Sequence, residues 1–225
     1  MKKVGTGIFM VGGYVNAYVV DGDQGVTLID TGLPKRDGLI TDALNVIGRR
    51  PADVMAIVLT HSHNDHTGGA ALLKEATGAT LIAPELETAV IEGRAQVPPP
   101  PMLAGPLSFL NRLTPRAMPA NVDVMVTEAA QEGMPSDLTV LDTPGHTPGH
   151  TSYLLDRGGG VLFVGDAAAT RRDGSIGPGF FNRGAGRILG ESIAHMSELE
   201  FESALFGHSD PIEAGASGVF RAFHL

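Results

Sequence analysis

The stretch that decides the fold is Thr60-His-Ser-His-Asn-Asp-His-Thr-Gly-Gly69, which directly follows the apolar run Val-Met-Ala-Ile-Val-Leu at 54–59. The run predicts a buried β-strand, and the end of that strand would carry four metal-binding side chains within six residues. Because residues i and i+2 point the same way in an extended segment, His61 and His63 can bind one ion together. A helix that begins after them would turn Asp65 and His66 toward a second ion. Imidazole and carboxylate groups are ligands that suit zinc.

Three later strand ends carry the same types of ligand. Apolar runs at 138–141, 161–164 and 203–206 are each followed by small residues and then by a histidine or an aspartate. Glycine beside such a ligand lets the backbone approach a metal ion closely. The alternative is a polar loop that is rich in histidine by chance, and these further strand ends count against it. Seven ligand-type side chains are enough for two ions that share one carboxylate. They are His61, His63, Asp65, His66, His146, Asp166 and His208.

Composition disfavours several classes of protein. The chain has 225 residues, enough for one large domain, and a net charge of -9 without a basic run, so no nucleic-acid partner is expected. It has no apolar run of the ~20 residues that a membrane span needs, so no membrane partner is expected either. The absence of cysteine excludes disulfides and thiolate metal sites and fits a cytoplasmic location. The oligomeric state is left open, with a homo-oligomer as one alternative.

The apolar pattern predicts that strands and helices alternate on both sides of a proline-rich connector near 93–121. This order suggests a single domain over 1–225 that is built from two similar halves. The connector is either a surface excursion between the two halves or a functional loop that acts as a lid or a pocket wall. A glycine-rich loop is predicted at 170–183. Strands are predicted at 8–11, 15–20, 26–29, 54–59, 80–83, 122–126, 138–141, 151–155, 161–164 and 203–206, and helices at 34–49, 68–76, 84–91, 107–113, 187–200 and 215–223.

Four further polar residues need an interpretation. Asp30 directly follows an apolar strand, and it either caps the next segment or holds a nearby ligand by a hydrogen bond; the two roles are compatible. His150 lies four residues after His146. We interpret His150 as a hydrogen-bonding residue rather than a ligand. His195 and His224 are interpreted as ordinary surface or packing residues.

Five segments, in this order along the chain, resemble the metallo-β-lactamase superfamily of hydrolases. They are Leu28-Ile-Asp-Thr-Gly32, the His-x-His-x-Asp-His motif at 61–66, Thr143-Pro-Gly-His-Thr-Pro-Gly-His150, Gly165-Asp166 and Gly207-His208. The resemblance implies an α/β fold of four layers, the αββα sandwich of that family, with the metals at one edge of its two sheets. It also implies the division of ligands: His61, His63 and His146 on the first metal, Asp65, His66 and His208 on the second, Asp166 as the bridge, and Asp30 behind them.

The resemblance also implies the chemistry, which would be that of the glyoxalase II-like or lactonase-like branch. A metal-bridged hydroxide would cleave a carboxylic ester, lactone or thioester of a small acyl substrate, with Asp65 as the catalytic residue that orients the hydroxide or passes a proton to the leaving group. Two divalent ions are expected, zinc first, with iron or manganese as alternatives. Phe180 and Phe181 are either part of the acyl pocket or core residues. The alternative functions are a non-haem iron redox enzyme similar to persulfide dioxygenases, β-lactam hydrolysis, and a metal protein without catalysis.

Overall fold

Two β-sheets form the centre of the molecule in a computed structural model that describes residues 1–96, 116–179 and 186–223. In the larger sheet seven strands follow one another in chain order. The first four strands pair antiparallel, and the fourth to seventh pair parallel. These strands are β1 (Lys2–Gly5), β2 (Ile8–Gly12), β3 (Asn16–Gly22), β4 (Gly25–Ile29), β5 (Val54–Val58), β6 (Thr80–Pro84) and β7 (Val124–Val126).

The smaller sheet comes from the second part of the chain. Its order is β13 (Ser203–Phe206), β10 (Val161–Gly165), β9 (Thr151–Leu155) and β8 (Leu138–Asp142). The two strands that carry a ligand directly after their ends, β10 and β13, run parallel and adjacent. A short separate hairpin consists of β11 (Ala169–Thr170) and β12 (Ile176–Gly177).

Helices cover the outer face of each sheet, which gives four layers. The helices are α1 (Gly38–Val46), α2 (Asn64–Thr67), α3 (Ala70–Thr77), α4 (Glu85–Ile91), α5 (Gly186–Ser197) and α6 (Ala216–Arg221). One apolar core joins α1 and α3 to the larger sheet, and another joins α5 and α6 to the smaller sheet. The third core lies between the two sheets, where Tyr18, Tyr153 and Phe163 pack.

Strand β5 shows why the apolar run before the histidine motif is continuous. Its Ile57 faces the core under the helices, whereas Ala56 and Val58 face the core between the sheets. Successive side chains of a strand point to opposite faces, so a strand buried on both faces needs apolar residues at every position. The predicted αββα sandwich is confirmed.

Several predicted element boundaries are wrong. The helix predicted at 34–49 begins only at Gly38, because Lys35 has a positive φ of 64° that a helix cannot contain. It ends before Gly48, whose φ is 76°. The helix predicted at 68–76 begins at Ala70, after the separate turn of α2.

Three short strands were not predicted. Strand β1 was missed, and the hairpin of β11 and β12 lies inside the segment that was predicted to be a loop. Such short strands depend on pairing with a neighbour, which apolar patterning does not report.

Some predictions are not tested by this structure. The four prolines at 98–101, the helix at 107–113, Phe180, Phe181 and His224 lie outside the described residues. The single domain of two similar halves stays a prediction. In the described part of the chain, no helix combines the length and the apolar character needed to cross a bilayer.

Candidate metal centre

The seven candidate ligands all follow strand ends. Strand β5 leads into His61, His63 and the short helix α2, while β8, β10 and β13 lead into His146, Asp166 and His208. Helix α2 begins right after His63, whose backbone is extended with φ -65° and ψ 145°. This change from strand to helix re-aims Asp65 and His66, as the sequence predicted.

The first ligand group is formed by His61, His63 and His146, whose ligand atoms lie within 4.8 Å of one another. His63 Nδ1 is 3.1 Å from His61 Nε2 and 2.8 Å from His146 Nε2. Zinc–nitrogen bonds of about 2.0–2.1 Å in a tetrahedral site place two ligand nitrogens roughly 3.3 Å apart. The three ring nitrogens are therefore arranged as ligands of one ion.

The second ligand group is formed by Asp65, His66 and His208. His208 Nε2 is 3.2 Å from Asp65 Oδ2 and 3.4 Å from His66 Nε2. These separations also match two ligands of one small divalent ion, since they are close to the tetrahedral spacing of about 3.3 Å.

Asp166 lies between the two groups. Its Oδ2 is 3.4 Å from His146 Nε2 and 3.4 Å from His208 Nε2, and its Oδ1 is 3.4 Å from His66 Nε2. Glycine is required at the neighbouring position 207, where a Cβ would clash with Asp166 Oδ1 and lie 2.8 Å from His66 Cε1. The carboxylate is thus placed to be shared by two ions, and the donor set fits a two-metal site.

Asp30 holds two of the ligands from behind. It is buried in the left-handed backbone region, with φ 57°, and it does not cap the next helix, which begins after Asp37. Its Oδ2 lies 2.8 Å from His66 Nδ1 and 2.8 Å from the Thr60 hydroxyl, and its Oδ1 accepts from the Thr60 N–H at 2.8 Å. Because the Asp30 carboxylate oxygens accept hydrogen bonds, His66 donates from Nδ1 and directs Nε2 to the site.

His150 uses both of its ring nitrogens in hydrogen bonds. Its Nε2 accepts from the Asp166 N–H at 2.9 Å, so its proton is on Nδ1, which donates to the Thr143 hydroxyl at 2.9 Å. The Thr143 hydroxyl in turn donates to the Ser152 hydroxyl at 2.9 Å, and Ser152 donates to the Val164 carbonyl at 3.1 Å. Burial lowers the pKa of His150 to about 3, so the ring stays neutral and holds the backbone of Asp166.

Two histidines of the first ligand group, His61 and His63, are held in the neutral form that binds metal. Burial, reinforced by neighbouring imidazoles, lowers the pKa of His61 well below its ordinary value. Burial and the adjacent His146 lower the pKa of His63 to about 4. Neutral rings with free lone pairs are what a metal ion requires.

In the second ligand group, carboxylates determine the direction in which the pKa values of the histidines shift. Burial works against the charged form of His66, but Asp166 and Asp30 outweigh it and raise the pKa of His66 well above its usual value. Burial likewise opposes protonation of His208, and the hydrogen bond to Asp65 prevails and raises the pKa of His208. Burial is also outweighed at Asp65, where His208 lowers the pKa to about 2. In the metal-free protein, protons on these histidines balance charge that a divalent ion would balance.

One residue near the first ligand group, Glu87, was not identified as part of the site from the sequence. Glu87 is buried in α4 and accepts hydrogen bonds from Ser62 and Gly149, which belong to the two loops of the first ligand group. The available signal was that Glu87 shares the buried face of the helix with Ile91, four residues later. His195 is not in a ligand group; it pairs with Glu128 at 3.1 Å.

Two cavities lie at this edge of the molecule. One, of ≈ 300 Å³, is lined by His208 together with Asn16, Arg171 and Arg172. The other, of ≈ 260 Å³, is mainly apolar and lies between the β2–β3 loop and the start of α1. Tyr14 in that loop accepts a hydrogen bond from His208 Nδ1 through its carbonyl at 2.8 Å. A small molecule that enters either cavity would therefore lie beside the second ligand group or the loop that supports it.

This fold and this site define a class of protein. The family model described as "Metallo-beta-lactamase superfamily" matches residues 10–208. The match covers most of the chain, and the chain belongs to the metallo-β-lactamase superfamily.

Several curated proteins similar to this chain bear the names of hydrolases. The "Probable metallo-hydrolase YflN" of Bacillus subtilis (strain 168) is 29% identical over 206 residues, covering 82% of this chain and 75% of that protein. A hydroxyacylglutathione hydrolase of Methylobacillus flagellatus is 32% identical over 160 residues, 69% of this chain and 47% of that protein. An N-acyl homoserine lactonase of a Bacillus species is 26% identical over 181 residues, 69% of this chain and 64% of that protein. The chain spans about half to three quarters of the length of these relatives.

Solved structures show the same fold. BJP-1, a subclass B3 metallo-β-lactamase of Bradyrhizobium japonicum, is 31% identical with a TM-score of 0.68. The match covers 92% of this chain and 76% of that chain.

Proposed function

We propose that this protein is a metal-dependent hydrolase that cleaves an ester, lactone or thioester bond of a small acyl substrate. The observation that carries the proposal is the position of Asp166, whose carboxylate lies 3.4 Å from a ligand nitrogen of each group. That arrangement supports two divalent ions, zinc first, with manganese or iron as alternatives. Bound ions would activate water and polarise the carbonyl of the substrate.

Asp65 is the residue proposed to move a proton. It is ionised at neutral pH, because the hydrogen bond to His208 lowers its pKa to about 2 despite burial. Its carboxylate would accept a proton from the attacking water and deliver it to the leaving oxygen or sulfur. His208 keeps Asp65 in place through the contact of 3.2 Å.

The substrate class is supported by the cavities and by the relatives. The mainly apolar cavity beside the β2–β3 loop would take an acyl chain, and the cavity at His208 would take the other part of the substrate. Among the relatives, one is named a hydroxyacylglutathione hydrolase and another an N-acyl homoserine lactonase. β-Lactam hydrolysis is the second candidate, favoured by the structure of BJP-1 at 31% identity.

Metal content and a substrate panel test the proposal together. Protein purified without added metal is measured by elemental analysis and then assayed with lactones, thioesters, aryl esters and a β-lactam. About two zinc ions per chain with hydrolysis of an acyl substrate is the expected result. One iron per chain with oxygen consumption on a persulfide would contradict it and favour the iron redox enzyme. The cytoplasmic location, the absence of nucleic-acid and membrane partners, and a homo-oligomer stay predictions.

A further inference from the structure

Glu87 is a carboxylate with only 3% of its surface exposed, in the first turn of α4. A buried carboxylate is costly unless hydrogen bonds or charges compensate it. None of the roles assigned above to metal binding or proton transfer uses this residue.

Its partners come from two loops that are distant in the chain. Oε2 accepts hydrogen bonds from the Ser62 N–H at 3.0 Å and from the Ser62 hydroxyl, and Oε1 accepts from the Gly149 N–H at 2.8 Å. Ser62 lies between two histidines of the first ligand group, and Gly149 lies three residues after the third. One carboxylate therefore connects both loops that carry this group.

The loop at Gly149 is pressed against the helix. A Cβ at this position would lie 2.7 Å from Leu86 Cβ and 3.0 Å from Glu87 Cγ, so a larger residue would push the loop away. Hydrogen bonds to an ionised acceptor are about twice as strong as neutral ones, and losing the acceptor leaves buried N–H donors without a partner. The contact is thus both close and strongly held.

We propose that Glu87 is a positioning residue for the metal ion of the first ligand group. It fixes the distance between the loop at 61–63 and the loop at 146–149, so that the three ring nitrogens face one point. Ligands need to be held to within about 0.5 Å of their working geometry. The inference rests on the proposed function only in requiring that metal binds.

The test compares Glu87→Gln with Glu85→Gln. Glutamine keeps the shape of the side chain but removes the charge and presents an N–H group to donors. Glu85 is the matched control, because it lies in the same helical turn and is exposed. Each protein is stripped with a chelator and titrated with Co²⁺, following visible absorption and the number of bound ions. His146→Ala identifies the signal that belongs to the first ligand group.

In Glu87→Gln the affinity of the first ion is expected to fall about 10–100-fold, with an altered cobalt spectrum, while the second ion and the control variant stay at the wild-type values. Folded Glu87→Gln protein that binds both ions within twofold of wild type would overturn the inference. So would a variant with a lower unfolding temperature and unchanged affinities, since that result shows a structural role alone.

A second variant keeps the test decisive if Glu87→Gln does not fold. Ser62→Ala removes only the hydroxyl donor, and one lost hydrogen bond should weaken the first ion about 2–10-fold. Unchanged affinity in Ser62→Ala would overturn the inference. Wild-type protein that binds neither Co²⁺ nor Zn²⁺ would overturn the proposed function and the role of Glu87 together. If the wild-type protein binds both ions, unchanged affinities in the variants would overturn only the role of Glu87.

Discussion

Replacing Asp30 with asparagine should turn two ligand histidines into the tautomer that cannot bind metal. In the native protein, Asp30 Oδ2 accepts from His66 Nδ1 and from the Thr60 hydroxyl, each at 2.8 Å. Because the Thr60 hydroxyl donates to Asp30, its oxygen accepts from His61 Nδ1 at 3.0 Å. Both histidines thus keep a proton on Nδ1 and direct Nε2 to the site, where a metal ion would take the place of the second proton that His66 carries in the metal-free protein.

An asparagine amide reverses this network without leaving a polar atom unpaired. Its nitrogen donates one hydrogen to His66 Nδ1 and the other to the Thr60 hydroxyl, which then donates to His61 Nδ1. The ring protons move to the two Nε2 atoms and point into the metal site. We therefore expect Asp30→Asn to fold, since every partner is still satisfied.

The magnitude follows from the cost of restoring the native tautomers. A metal that binds His66 in the variant would leave the Nδ1–H facing the amide donor, and an unsatisfied buried donor costs about 1–3 kcal/mol. With a factor of ten for each 1.4 kcal/mol, the second ion should bind about 5–150-fold more weakly. The effect on the first ion should be smaller, because the Thr60 hydroxyl can rotate.

Isothermal titration of the metal-free protein with Zn²⁺ measures both affinities. Asp42→Asn is the matched control, since it makes the same change at an exposed position of α1. Unfolding temperatures of the metal-free proteins verify that the variant is folded. Folded Asp30→Asn protein with both affinities within twofold of the native protein would refute the tautomer argument.

Three further predictions concern the same centre. Asp166→Ala should reduce metal content and activity together, because its oxygens contact both groups at 3.4 Å; full occupancy by elemental analysis would contradict this. Gly207→Ala should also lose metal, because its Cβ would lie 2.8 Å from His66 Cε1; Gly218→Ala, which meets no atom within 4 Å, is the control for the same measurement. As pH falls, the second group should lose its ion first, since the pKa values of His66 and His208 are raised whereas those of His61 and His63 in the first group are lowered; simultaneous loss in a pH series would contradict this.

The regular elements of the core were predictable where apolar patterning is strong. The run at 54–59 predicted a strand buried on both faces, and β5 lies between two apolar cores. Patterning failed at 34–49, where the apolar spacing of a helix continues but the positive φ of Lys35 interrupts the backbone. Backbone conformation at a single residue leaves little trace in the spacing of its neighbours.

The candidate site was predictable in its types of side chain but not in its connections. Histidine and aspartate after apolar strands are local signals, so the sequence named every residue that the structure brings into the two candidate groups, and their role as ligands stays a prediction. Glu87 was missed because a glutamate in the first turn of a helix is normally solvated. Its burial becomes visible only when the loops at Ser62 and Gly149 are placed against it.

The sequence by itself determined the longer strands of the two sheets, the supply of candidate ligands and the order in which they occur. The resemblance of its segments to a known family implied how the candidate ligands are grouped, with Asp166 between the groups and Asp30 behind them. Tertiary structure decided the separations at which these side chains meet, and it alone revealed Glu87 behind the first group. The physical reason is the distance along the chain over which each of these effects acts. Periodicity and residue chemistry act over a few neighbouring positions, whereas separations of about 3 Å between residues far apart in the chain depend on how strands are ordered and sheets are packed.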